Sequence, residues 1–133
     1  MIRRLVRGER GAALVEFAVG SMVFFLTVFG CLDYGLLIWR YNLVSDLAQE
    51  GARYASVHGA SSASPASAAN VQAFIDTRAL GHTVTVTTSP APSTLSAGST
   101  VTCVVASTYT PITPLVPRGA RTVSATARMI VSR

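Results

Sequence analysis

The feature that most constrains this chain is the stretch GAALVEFAVGSMVFFLTVFGCLDYGLLIW at residues 11–39, apolar almost throughout. It carries one carboxylate near its start, Glu16, and another near its end, Asp33. At about 1.5 Å of rise per residue a helix of this length reaches about 42 Å, more than the roughly 30 Å of a bilayer core. Residues 12–39 are therefore expected to be a transmembrane helix. Glu16 precedes the longest uncharged run, Phe17 to Leu32. A carboxylate at that depth is costly unless neutralised or paired, so it is a candidate functional residue.

The flanks orient the span. Residues 1–10, MIRRLVRGER, set Arg3, Arg4, Arg7 and Arg10 against the single acid Glu9. Arginine ahead of a membrane helix stays cytoplasmic, which puts the C-terminal part outside. The apolar run is too long for a signal-peptide core and no small-x-small site closes it. Tyr34, Trp39 and Tyr41 cluster at the far end like an interfacial aromatic belt. Asp33 falls where the helix leaves the core, either as a solvated interface residue or as a contact between subunits.

Residues 40–58 change character without a break. Val44, Leu47, Ala48, Gly51, Ala52 and Ala55 follow helical spacing. Glu50 and Arg53 lie mostly off that stripe and are spaced to pair on the helix surface. With no proline from 12 to 64, one helix of about 45 residues is expected, membrane-spanning in its first half and amphipathic in its second. Residues 59–69 read as a Ser/Ala-rich linker with little to bury. Within the exported domain at 70–133, NVQAFIDTRAL predicts a short helix capped by Asn70 and stopped by Gly81. Three Val/Thr segments, His82–Thr88, Thr100–Tyr109 and Thr122–Val131, alternate with the period of half-buried antiparallel strands. The expected fold is α+β: a long N-terminal helix packed against a small three-stranded antiparallel sheet with one short helix. So small a domain would be marginal without that helix.

Chemistry is sparsely represented. The histidines, His58 and His82, lie in no ligand-spaced constellation, and neither a nucleophile elbow nor a phosphate loop is present. No enzyme activity, metal or cofactor is expected. Cys31 and Cys103 read as small hydrophobes. Every basic residue is arginine, the net charge is +5, and no acid follows Asp76. That excess reads as a solubilising surface, or as a contact with an anionic lipid or polymer; nucleic acid is not expected.

The informative constellation is RGERGAALVEF at residues 7–17. A protease at the cytoplasmic face finds accessible backbone at Gly11. Cleavage there would expose an α-amine on Ala12. In a bundle of such helices, Glu16 of one chain can meet the amine of the next, neutralising two buried charges and fixing the stagger. The plainer alternatives are a flexible junction at Gly11 and a snorkelling interfacial carboxylate at Glu16.

This pattern resembles type IV prepilins, with Gly11, Ala12 and Glu16 at the motif positions. The segment from Leu32 to Ala55 narrows the resemblance to the TadE-like family of tight-adherence (Flp-type) pilus pseudopilins. The matching elements are VEFA at Val15–Ala18, Tyr34-Gly35, and AQEGARYA at Ala48–Ala55. The resemblance implies a basic leader at residues 1–11, cut between Gly11 and Ala12 by a prepilin peptidase. It implies an assembly role for Glu16 and Phe17, with Asp33, Glu50, Gly51 and Arg53 as possible subunit contacts. Phe17 lacks the hydroxyl of the tyrosine usual in the shorter major pilins, which points to the minor class. The implied partners are other pseudopilins or pilins, an inner-membrane assembly platform and the bilayer. The implied location is the bacterial inner membrane, single-pass, with the C-terminal domain periplasmic or extracellular. The rival reading is an uncleaved, membrane-tethered extracytoplasmic binding module with a basic surface.

Overall fold

A computed structural model describes residues 5–113 and 119–132. The first four residues of the expected leader, the side chains of Arg7, Glu9 and Arg10, and Arg118 and Arg133 lie outside the described residues. One helix, α1 (Leu5–Val57), dominates the molecule. Its 53 residues exceed the expected length because it starts at Leu5, within the expected leader, and passes through Gly11 unbroken. Nothing at Gly11 stops it, since a lone glycine costs a helix only about 1 kcal/mol. It ends two residues before Gly59. There the His58 Nδ1, 2.9 Å from the Tyr54 carbonyl oxygen, serves that carbonyl, and Ser132 N–H donates to the Ser56 carbonyl at 2.9 Å. The last turn thus satisfies carbonyls that a helix end otherwise leaves open.

Helix α2 (Ala68–Asp76) is capped by Ser67 rather than by Asn70. Ser67 Oγ accepts from Asn70 N–H at 3.2 Å, and Asn70 is already the third residue of the helix. The expected linker is correspondingly shorter, and it does bury something: Ala66 and Gly59 are both buried. Leu80 and Gly81 take positive φ, turning the chain out of α2 towards the sheet.

Strands β1 (Val84–Ser89), β2 (Thr100–Tyr109) and β3 (Arg121–Ile130) form one antiparallel sheet in sequence order. The bounds of β2 are those the alternation predicts; β1 and β3 move by one or two residues. Rows Val86–Val105–Ala125 and Thr88–Cys103–Ala127 face α1, while Thr85, Thr87, Thr122, Ser124 and Thr126 on the other face are exposed. The free edge of β1 is closed by α2. The Gln72 amide donates to the Val84 carbonyl at 3.1 Å and accepts from Val86 N–H at 2.7 Å, as a neighbouring strand would.

The core is made where the sheet covers the second half of α1. Val44, Leu47, Ala48, Ala52 and Ala55 are buried against Ile75, Val101 and Val105. This is the stripe that helical spacing predicts, and its alanines bring helix and sheet close together. Gly51 marks the closest approach: a Cβ there would lie 2.8 Å from Cys103 Sγ and 3.4 Å from Ile75 Cδ1. Gly51→Ala is therefore expected to destabilise the fold by about 1–3 kcal/mol through overpacking. In a Cys103→Ala background most of that cost should vanish, as denaturant unfolding of the detergent-solubilised chain would measure. An equal cost in both backgrounds would place the clash elsewhere.

Candidate functional site

The predicted site residues fall into three separate places along α1. The first is its apolar half. From Leu14 to Leu32 the large side chains are exposed, with Phe17 at 74% and Leu14 at 70% of full exposure. The C-terminal domain does not reach them. Glu16 is exposed on this bare segment and, among the described residues, is in no ion pair. By length and composition this half is able to cross a membrane. It needs lipid or other helices to cover it, because so long an apolar surface is not stable in water.

The second place is Asp33, only 4% exposed although it lies at the edge of the apolar run. It is not a solvated interface residue. Its Oδ1 accepts from Ile112 N–H at 3.0 Å and from the Tyr109 hydroxyl at 3.2 Å. Its Oδ2 accepts from Thr113 N–H at 2.9 Å and from the Thr113 hydroxyl. The Tyr109 hydroxyl also lies 3.1 Å from the Asp33 carbonyl oxygen. One carboxylate thereby ties the end of β2 and the following residues to α1. Burial, then the Asp33 charge, pushes the Tyr109 hydroxyl above its ordinary pKa, so it stays protonated and donating. Asp33 is the first residue of α1 that the domain buries, while Tyr34, Leu36, Ile38 and Trp39 beyond it stay exposed.

The third place is AQEGARYA at Ala48–Ala55. Ala48, Gly51, Ala52 and Ala55 are buried in the chain's own core. Gly51 and Asp33, both named as possible subunit contacts, are buried within the chain's own fold. Glu50 and Arg53 remain exposed. Glu50 pairs with Arg78 at 2.8 Å and not with Arg53, because Arg78 comes across from the end of α2. With both side chains about half exposed, the pair contributes tenths of a kcal/mol. Arg78 also lies 3.9 Å from the Phe74 ring centroid, and Phe74 stacks on Tyr54 at 4.4 Å. The motif is mainly a packing device for α1 against β2 and α2.

Sequence reasoning does not reach Arg78, Gln72, Ser67 or the contacts of Asp33. Ser67 carried a signal, an N-cap residue at the end of a Ser/Ala run. The others depend on contacts between residues distant in sequence. Cys31 is exposed on the bare helix, whereas Cys103 is buried and its thiol is pushed up to about 11 by desolvation, leaving it inert at neutral pH. Among the described residues no three His, Cys, Asp or Glu side chains come together in a way that would hold a metal.

Residues 11–53 match the family model described as TadE-like protein. The match opens at Gly11, covers the bare half of α1 with Glu16 and Asp33, and ends at Arg53 inside the motif. It links this segment to the Tad pilus system. No curated protein and no solved structure matches the chain.

Proposed function

We propose that this TadE-like chain is a minor pseudopilin, incorporated into a tight-adherence pilus or required for its biogenesis after cleavage between Gly11 and Ala12. The observation that carries the reading is the contrast between the two halves of α1. From Val44 to Ala55 the helix is committed to its own domain, while from Leu14 to Leu32 it is bare and carries a carboxylate that, among the described residues, pairs with no cation. A helix exposed in this way suits exchange between lipid surroundings and a bundle of like helices. Within that bundle the Ala12 amine of one subunit meets Glu16 of its neighbour. Phe17 packs beside that pair, and Glu50 and Arg53 are the surface positions of the motif available to a neighbouring subunit.

The partners in this reading are the prepilin peptidase, other pilins or pseudopilins and the inner-membrane assembly platform. The domain lies on the periplasmic or extracellular side, and the subunit works by assembly, without catalysis of its own. Intact mass of the chain, expressed with and without its host's prepilin peptidase, tests the reading. A chain starting at Ala12 only when the peptidase is present is the expected result. A chain that keeps residues 1–11 in its native host would sink it and favour the tethered binding module.

A further inference from the structure

The end of the domain nearest the apolar segment holds two clefts, with Arg40 and His82 in the walls of both, that the assembly reading does not use. By tying residues 112 and 113 to α1, Asp33 brings the end of β2 to the level where the helix leaves the apolar segment. Arg40 follows two turns later, about 10 Å along the axis. Its guanidinium is half-buried, 3.4 Å from Ser107 Oγ, and among the described residues it forms no ion pair with a carboxylate. It opens into a cleft of about 670 Å³ whose other walls include His82, Thr83, Thr85, Thr108 and Thr122. A second groove of about 210 Å³ shares Arg40 and His82 and is otherwise walled by Leu36, Trp39, Tyr109, Thr110 and Ile112. Trp39 meets the His82 ring edge-on at 5.4 Å, and Ile112 is 77% exposed.

The donor set is specific in kind. One cleft offers a guanidinium and several hydroxyls with no carboxylate in its walls, which suits a singly charged oxyanion. The second groove has an apolar side made by Leu36, Trp39 and Ile112 and lies where α1 leaves its apolar segment. A ligand filling both would be amphiphilic, with one phosphate and a short apolar neck. We propose that these clefts seat the headgroup of a glycerophospholipid from the leaflet on the domain's side. Arg40 binds the phosphodiester, Thr85 and Thr108 stand within the same cleft to receive its oxygens, and Leu36, Trp39 and Ile112 cover the glycerol and first methylenes. One phosphodiester charge balances one guanidinium. The proposal rests on the membrane-spanning reading of α1 but on neither cleavage nor assembly.

Trp39 is the only tryptophan in the chain and lies in the groove, so it reports directly. The full chain in uncharged detergent micelles would be titrated with dihexanoylphosphatidylglycerol while Trp39 emission is followed. The expected result is a saturable shift to shorter wavelength. For Arg40→Gln the midpoint should rise by about tenfold or more, as loss of a charge-assisted contact implies. Ile112→Asp, at an exposed position outside the core, should also weaken the response, and it carries the test if Arg40→Gln does not fold. Equal midpoints for the natural chain and a folded Arg40→Gln variant would overturn the proposal. So would an equal response to dihexanoylglycerol, which lacks the phosphate. Saturation by inorganic phosphate at the lipid's midpoint would reassign the site to a free anion. The outcome is independent of where the mature chain starts, so its failure and that of the pseudopilin reading are distinguishable.

Discussion

Asp33→Ala is expected to lower the stability of the C-terminal domain by about 3 kcal/mol, the largest effect of any single substitution at a position outside the hydrophobic core. The carboxylate it removes accepts from the Tyr109 hydroxyl, the Ile112 and Thr113 N–H groups and the Thr113 hydroxyl. Bonds to a charged acceptor are worth about twice neutral ones, and the donors left behind in a part-buried site lose their partner without gaining full hydration. The bonds are not additive, so the sum is well below four separate deletions. Asp33→Asn keeps an acceptor for Ile112 and Tyr109 but turns an NH₂ towards Thr113; about half the loss is expected. Tyr109→Phe leaves the Ile112 and Thr113 bonds in place and should cost about 1 kcal/mol. Denaturant unfolding of the detergent-solubilised chain gives the order. If Asp33→Ala cost no more than Tyr109→Phe, the carboxylate would not be what holds the two parts together.

The second large effect concerns assembly rather than folding. Glu16→Ala is expected to abolish incorporation into the pilus machinery while leaving membrane insertion, abundance and domain stability unchanged. Insertion depends on the apolar run, which the substitution lengthens. Stability depends on residues from Asp33 onwards, which lie about 25 Å up the helix. On the pairing reading, what is lost is the partner for a neighbour's Ala12 amine, which would then be buried unpaired at a cost of several kcal/mol. Glu16→Gln separates charge from hydrogen bonding, and should fail nearly as badly because an amide does not neutralise an ammonium. Crosslinking to neighbouring subunits, compared with membrane-fraction abundance, reads both properties in one sample. Normal crosslinking of Glu16→Ala would remove the pairing account while leaving the TadE-like match intact.

Much of the fold was legible because it rests on local periodicity. The stripe Val44–Leu47–Ala48–Gly51–Ala52–Ala55 and the alternation of Thr100–Tyr109 each put their apolar residues on one face, and those faces meet. Where the reading missed, the missing information was long-range. Asp33 looks like an interfacial carboxylate until Tyr109 and Thr113, about 80 residues away, are brought to it. Glu50 has a well-spaced local partner in Arg53, yet Arg78 reaches it because α2 folds back along α1. Gly51 is open to two readings, close packing or subunit contact, and a Cβ there would lie 2.8 Å from Cys103 Sγ, as the first requires. The amphiphilic clefts were not legible at all, since Arg40, His82 and Thr122 come from three distant segments.

The continuity of α1 has a mechanical consequence. Its 53 residues make a rod about 80 Å long with no proline in it, and the same rod is the segment able to cross a membrane at one end and the centre of the domain's core at the other. A chain of this build has no tether between its apolar segment and its domain. An axial load on the bare half is delivered straight to Val44–Ala55, and a rotation about the helix axis turns the sheet by the same angle. Any axial displacement of the bare half would therefore move the domain as cargo fixed to a piston, with helix stagger read out directly as the height and azimuth of the domain's surface.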